Sequence, residues 1–172
     1  ENHDGVDLYP FLGIGAGRAL AGSVFLMPGI PLVYQRGDVG NGLFFRRLNE
    51  LRAARPELRG GDADYRAVRT SDPALFCVLR RSGAEMSVGV INFSATSREA
   101  VLTLPEDFPA GEVRDLLAAR TVRRNGQRLS VRLKPWDTAL YAVAEPLPEP
   151  SSPASPPSAD RPVLREEPDR IV

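Results

Sequence analysis

The sequence contains only one cysteine, Cys77, which excludes an intrachain disulfide framework. Apolar residues surround this cysteine in the run 74–79. A thiol in such surroundings is typical of a packed core, where burial disfavours the reactive thiolate. We therefore predict that Cys77 is an inert core residue and not a nucleophile.

An excess of charge of either sign is also missing, because 22 basic residues balance 22 acidic ones. The sequence therefore lacks the strongly basic field that nucleic acid or an anionic membrane surface would require. No apolar run approaches the ~20 residues of a membrane-spanning helix. We predict neither a nucleic-acid partner nor a membrane partner, whereas a neutral partner such as a sugar is compatible with this charge balance.

Composition divides the 172 residues into three zones. Apolar stretches of helical length fill residues 1–60, and short alternating runs separated by turn residues fill 61–145. Residues 146–172 are rich in Pro, Ser, Ala and charges, and such a segment cannot bury enough surface to offset its chain entropy. This last zone is therefore predicted to be a disordered tail. The opening residues 1–4 do not form a signal peptide, and their abruptness suggests that coding or processing removed an upstream part.

The first zone has an α/β pattern. Helical spacing predicts a helix that ends at Pro28-Gly29 and packs through Ala16, Ala19, Leu20, Ser23, Val24 and Met27. The nearly continuous apolar run 30–34 predicts a strand buried on both faces. Asn41 is a plausible N-cap for a second helix, whose buried stripe would be Phe44, Leu48 and Leu51. These elements make one and a half α/β units, which is too little to close a sheet alone.

The second zone predicts an antiparallel β-sandwich of about 85 residues. Turn signals occur at 71–73, at Ser82-Gly83 and at Asn125-Gly126, the last of which is a strong hairpin signal. Residues 128–133 alternate cleanly between apolar and polar side chains, as in a strand with one wet face. The predicted strands are Tyr65–Arg69, Leu75–Arg80, Ser87–Phe93, Ala100–Leu104, Glu112–Leu116, Arg128–Leu133 and Ala139–Val143.

Four blocks, taken in order, resemble the α-amylase superfamily, glycoside hydrolase family 13. Asn2-His3-Asp4 is similar to the block that ends the seventh barrel strand in this family, and residues 27–34 resemble its eighth strand with the lead-in. Residues 40–58 are similar to the last barrel helix, and the stretches 88–94 and 133–136 resemble the C-terminal β-sandwich. The resemblance thus spans residues 1–145. It implies the last part of a TIM (β/α)8 barrel over 1–60, followed by the sandwich domain.

The resemblance also implies a function for the longer protein, which would be a retaining glycosidase or transglycosylase acting on α-1,4- or α-1,6-linked glucans. Asp4 would be the carboxylate that stabilises the transition state, and His3 would hydrogen-bond the sugar in the −1 subsite. The nucleophile and the acid/base would lie upstream of Glu1, so this chain alone is expected to be inactive. Its expected partner is an α-glucan or a maltooligosaccharide. We assign no cofactor and no metal to this chain, whereas the family leaves a calcium site in the longer protein open.

Two loops depart from the family pattern. Gly5-Val6-Asp7 follows Asp4 where a Gln-Pro-Arg type of triplet is usual, and the loop 36–40 lacks the usual Glu. Both loops would lie at the rim of the active site. They keep open the alternative that the protein is a non-catalytic α-glucan-binding or scaffold protein derived from the same fold.

Several other signals have a bland structural interpretation that we favour. Asn92 begins a glycosylation sequon but lies within a predicted strand. Trp136, Tyr141 and Tyr65 could form a sugar-stacking platform, although packing within the sandwich is the preferred interpretation. Four arginines between 120 and 128 surround a turn and are expected to be solvated.

Overall fold

The computed structural model describes residues 8–33 and 40–143. Three helices come first in the chain: α1 (Leu8–Leu26), α2 (Gly42–Ala54) and α3 (Pro56–Arg59). The strands that follow are β1 (Asp62–Asp64), β2 (Arg69–Thr70), β3 (Leu75–Ser82), β4 (Glu85–Asn92), β5 (Arg98–Thr103), β6 (Val113–Asp115), β7 (Arg120–Val122), β8 (Arg124–Asn125), β9 (Arg128–Leu133) and β10 (Thr138–Val143). The predicted tail after residue 145 lies outside the described residues.

The strands form two antiparallel sheets packed face to face, which confirms the predicted β-sandwich. The larger sheet has the order β1-β3-β4-β10-β6-β7, and the smaller one has the order β2-β5-β9-β8. Alternate residues of both sheets meet in one apolar core, for example Val88 and Tyr141 from the large sheet and Leu129 and Leu133 from the small sheet. Residues along β9 are alternately exposed and buried, as their alternating sequence predicts.

Six of the predicted strands are confirmed within a residue or two at their ends, whereas the strand predicted at Tyr65–Arg69 is wrong. Only Arg69 of that run is in a strand, β2. The carboxylate of Asp64 accepts hydrogen bonds from the backbone N–H of Arg66 (2.7 Å) and of Ala67 (2.9 Å). This Asx-type turn bends the chain and ends β1 before residue 65. The short strands β1, β7 and β8 were not predicted because two or three residues at a sheet edge carry too little periodicity.

Helix α1 is present as predicted, but its packing side differs from the predicted stripe. Gly13 has non-helical dihedral angles and interrupts the helix near its start. Val24 is 46% exposed, whereas Phe25 and Leu26 are buried. The reason is that α1 packs on two neighbours at once: Ala19 and Leu26 contact the large sheet, and Ala21 and Phe25 contact α2. A single-stripe pattern cannot represent a helix that is buried on two sides.

Helix α2 begins after Asn41, as predicted, and buries Phe44, Leu48 and Leu51, with Phe45 in addition. The side chain of Asn41 does not cap its own helix. Instead its Nδ2 donates a hydrogen bond to the carbonyl of Ile14 in α1 (3.3 Å). Two guanidinium nitrogens of Arg47 bind the carbonyl of Leu116 (3.3 and 3.1 Å), so α2 is also fastened to the chain that follows β6.

The strand predicted at residues 30–34 is wrong over the part that the structure describes. Residues 30–33 are not in a strand, and Ile30 and Leu32 are 96% and 83% exposed. Tyr34 lies outside the described residues. A strand buried on both faces needs neighbouring strands for its backbone hydrogen bonds, and none of the described strands pairs with this segment.

Helix α1 approaches the sheet so closely that a glycine is required at one contact. A Cβ atom added to Gly22 would lie 2.3 Å from Oγ1 and 2.9 Å from Cβ of Thr138. By contrast, a Cβ atom on Gly42 at the start of α2 would meet nothing within 4 Å. The two glycines are therefore a matched pair for testing the contact.

We expect Gly22→Ala to destabilise the chain by about 2 kcal/mol, because overpacking a tight contact outweighs the gain in helix propensity. Gly42→Ala should be neutral or slightly stabilising. Urea denaturation followed by circular dichroism measures both free energies of unfolding. Equal effects of the two substitutions would mean that α1 does not pack on β10 as described.

Candidate functional site

The predicted catalytic residue, Asp4, and the predicted substrate-binding residue, His3, lie outside the described residues. The same holds for Gly5-Val6-Asp7 and for residues 36–39 of the second rim loop, of which Gly40 alone is described. The described residues contain the helices and strands that come after these residues in the chain. The roles assigned to His3 and Asp4 therefore stay predictions.

Two arginines hold the C-terminal end of α1. Arg80 on β3 is fully buried and donates to the carbonyls of Leu26 and Gly61, both at 2.8 Å. Arg52 on α2 donates to the carbonyl of Phe25 (2.9 Å) and to that of Gly29. Carbonyls in the last turn of a helix have no partner within the helix, and cations are favoured there. Burial lowers the pKa of the Arg80 guanidinium, and the neighbouring Arg52 lowers this pKa further.

A buried ion pair between Arg55 and Glu57 stabilises the start of the short helix α3. The Nε of Arg55 lies 2.5 Å from Oε1 of Glu57, whose side chain is fully buried. A second carboxylate, that of Glu85 at the start of β4, lies 3.6 Å from the same guanidinium. Such a pair fixes the geometry of the turn from α2 into the sandwich, and removing one partner would leave an uncompensated charge.

Cys77 is buried in the core of the sandwich, as predicted. Burial raises the pKa of its thiol to about 11, so the thiolate is scarce at neutral pH. Burial also raises the pKa of Asp115, which accepts backbone hydrogen bonds from Leu117 (3.1 Å) and Ala118 (3.2 Å). This carboxylate shapes the turn after β6.

The structure decides several of the signals that the sequence left open. Asn92 is fully buried and donates to the carbonyls of Thr96 (2.7 Å) and Lys134 (2.8 Å), so it is a structural residue. Tyr141 is fully buried in the core, which excludes it from a surface platform. Tyr65 is 49% exposed and Trp136 is half-buried, and the two lie in different pockets.

Residues 8–33 and 40–143 contain no group of three or more His, Cys, Asp or Glu side chains that could hold a metal ion. In the same ranges no helix is both long enough and apolar enough to span a membrane.

Large apolar side chains are exposed along α1, along the segment after it and at the start of α2. They are Leu12, Ile14, Val24, Ile30, Leu32, Val33 and Leu43, with exposed fractions from 40% to 96%. Exposed apolar side chains in such number are typical of a face that another part of a protein covers.

The sequence matches no protein-family model, and no curated protein is similar enough in sequence to count as a relative. Solved structures define the class of fold, because the chain superimposes on bacterial α-amylases and a debranching enzyme.

The α-amylase of Anoxybacillus matches 86% of this chain with a TM-score of 0.68 and 22% identity. The debranching enzyme of Nostoc punctiforme matches 83% with a TM-score of 0.67 and 21% identity. The α-amylase of Geobacillus thermoleovorans, solved with acarbose, matches 85% with a TM-score of 0.63 and 18% identity. This chain spans only 38%, 34% and 38% of the lengths of those three structures. The resemblance to α-amylases seen in the sequence is thus confirmed at the level of the fold.

Proposed function

We propose that this chain is the C-terminal part of a retaining enzyme of the α-amylase superfamily that acts on α-glucans. Residues 1–60 would complete a (β/α)8 barrel, residues 61–145 would form the C-terminal sandwich domain, and 146–172 would be a tail. The observation that carries the proposal is the shared fold. A chain with helices α1 and α2 packed on a sandwich of this topology superimposes on α-amylases over 86% of its length.

The exposed apolar segment after α1 supports the barrel part of the proposal. The run 30–34 is nearly continuous in apolar residues, yet Ile30 and Leu32 are almost fully exposed. In a closed barrel the eighth strand pairs with the seventh and the first, and its helices form the outer ring. The upstream strands and helices would therefore cover this surface and supply the backbone partners that the segment lacks.

The chemistry would take place at the C-terminal ends of the barrel strands, where the loops of such a fold gather side chains from several strands. A retaining glycosidase uses a nucleophile and an acid/base about 5–5.5 Å apart, and both would come from the upstream part. Asp4 would accept hydrogen bonds from sugar hydroxyls, and these bonds would strengthen as the ring distorts towards the oxocarbenium ion. His3 would bind the same sugar, because a neutral imidazole donates at one nitrogen and accepts at the other.

The test is reducing-sugar release from soluble starch and maltoheptaose by the longer protein and by the 172-residue chain alone. We expect turnover by the longer protein and none by the chain, because the proposed nucleophile and acid/base would both come from the upstream part. A well-folded longer protein that binds maltoheptaose without turnover would contradict the proposal and favour the non-catalytic scaffold. Turnover by the chain alone would show that the catalytic residues are assigned wrongly.

A further inference from the structure

A cleft of about 590 Å³ lies between the middle of α1, the connection from β6 to β7 and the connection from β9 to β10. No part of the proposed reaction uses this cleft. Its charged and aromatic lining consists of four cations, two carboxylates and one indole: Arg18, Arg120, Arg132, Lys134, Asp115, Asp137 and Trp136. Cations and carboxylates therefore surround a single indole ring.

The indole is presented by an unusual turn. The N–H of Asp137 donates to the carbonyl of Lys134 (3.3 Å), which closes a four-residue turn with Pro135 in its second position. Trp136 occupies the third position with a φ of 57°. This arrangement is the pattern of a type II turn, in which the third position requires a positive φ and is ordinarily glycine.

A tryptophan in this position is disfavoured by sterics, because bulky side chains rarely adopt a positive φ. Strain of this kind persists where the surrounding structure enforces it, and it concentrates at binding sites. Here the N–H of Trp136 is held by the carbonyl of Ser94 at 3.1 Å. The side chain lies close to α1, since a Cβ added to Gly15 would be 3.0 Å from its Cδ1, and it packs against the buried cluster that contains Ala19. The fold thus keeps the half-buried indole of Trp136 at the cleft, although a glycine at this position would adopt the positive φ without strain.

The groups around the indole are ordered. The guanidinium of Arg18 stacks over the ring of Phe44, with its carbon 4.1 Å from the ring centroid. Oδ1 of Asp137 accepts the N–H of Thr138 (3.1 Å), which orients that carboxylate. Lys134 is an exposed residue, and the chain contains no other lysine.

We infer that this cleft binds a neutral oligosaccharide through Trp136, with Arg18, Lys134 and Asp137 as hydrogen-bonding partners. A pyranose ring has an apolar face that packs on an indole, and its hydroxyls both donate and accept hydrogen bonds. A lining of four cations and two carboxylates satisfies hydroxyls in both roles, and the face of the indole favours a sugar over a simple inorganic anion. The choice of a saccharide over other neutral ligands rests on the proposed function, because that function makes α-glucans the expected partners.

The chain contains one tryptophan, so its tryptophan emission reports on the surroundings of Trp136 alone. We would titrate the 172-residue chain with maltoheptaose and follow tryptophan emission, with isothermal titration calorimetry in parallel. A saturable change in emission with a matching binding heat is expected. Lys134→Ala should weaken binding about ten-fold, corresponding to ~1.4 kcal/mol.

Trp136→Gly is the decisive variant, because glycine suits the positive φ and should preserve the turn. Calorimetry of this variant should show no binding heat, while its circular dichroism spectrum stays that of the wild type. Tyr65→Ala is the matched control, since it removes an exposed aromatic ring that does not line this cleft. It should bind maltoheptaose as the wild type does.

Three results would overturn the inference: a folded chain that shows no saturable response to maltoheptaose, a Trp136→Gly variant that binds as tightly as the wild type, or a response to inorganic phosphate and not to the sugar. Starch turnover by the longer protein is measured separately. If the longer protein releases reducing sugar and the chain binds no maltoheptaose, the inference fails while the proposed function stands.

Discussion

Asp4→Asn is expected to lower kcat/KM of the longer protein on maltoheptaose by about three orders of magnitude. The substitution keeps the size of the side chain but removes its negative charge. A neutral amide oxygen is a weaker acceptor for sugar hydroxyls than a carboxylate, and it cannot stabilise the positive charge that develops on the ring. Loss of a single group that acts in a transition state reduces rates by about 10²–10³-fold in other enzymes.

The way in which the loss divides between kcat and KM tests the assigned role. If Asp4 acts chiefly on the transition state, kcat should fall while KM changes little, because an interaction made only in the transition state leaves ground-state binding unaffected. Steady-state kinetics with maltoheptaose would separate the two constants. A rise in KM with an unchanged kcat would instead assign Asp4 to uniform substrate binding.

Asp7→Asn provides a matched control, because it makes the same chemical change three residues further along the chain. No role in the reaction is proposed for Asp7, so this variant should keep most of the activity. Similar losses of kcat/KM in both variants would indicate that the segment tolerates no change of charge. That result would contradict a specific role for Asp4. Circular dichroism of both variants checks that the fold is retained.

The sandwich was predictable because each of its long strands carries a strong local signal. Residues of β9 alternate between apolar and polar. This alternation shows which face of the strand meets the core, even when the neighbouring strands are unknown. The turns were predictable for a related reason. Gly83 and Gly126 both have a positive φ, which few residues other than glycine adopt readily, so the hairpins are encoded by single residues.

The helical part was predicted less well because its burial depends on partners distant in sequence. The exposed Val24 and the buried Phe25 of α1 follow from the simultaneous contact with α2 and with the sheet. Likewise, the apolar run at residues 30–33 has the composition of a buried strand. A buried strand also needs neighbouring strands as hydrogen-bonding partners, and the local composition does not show whether these are present. His3 and Asp4 were predicted from resemblance to a family, since a dipeptide has no periodicity from which a role could be deduced.

The burial of Arg80 on β3 could not be predicted from the sequence. Arg80 comes directly after an apolar run, and a charged residue at that position normally marks the point where a strand becomes exposed. Arg80→Met should destabilise the chain by about 3 kcal/mol. The methionine fills much of the same space but leaves the carbonyls of Leu26 and Gly61 without their donors. Leu26 is buried and the contact with Gly61 is partly buried, and an unsatisfied buried carbonyl costs about 1–3 kcal/mol.

The cost of burying the Arg80 guanidinium opposes this predicted loss of stability in Arg80→Met. Arg80 is fully buried, its Nε has no hydrogen-bond partner within the described residues, and burial lowers the pKa of its guanidinium. Keeping this charge out of water is therefore unfavourable, and replacing buried charges by apolar groups has stabilised other proteins by about 1–4 kcal/mol. Here the two carbonyls stay in place after the substitution, so the loss of their hydrogen bonds should dominate.

Urea denaturation of Arg80→Met and of Arg128→Met measures the balance. Arg128 is an exposed arginine on β9, so its substitution should change the free energy of unfolding by less than about 0.5 kcal/mol. A stabilised Arg80→Met variant would mean that the desolvation of the guanidinium outweighs its two hydrogen bonds. In that case the contact between the end of α1 and β3 would be held by apolar packing of Leu26, and the position of the helix on the sheet would depend on shape more than on polar pairing.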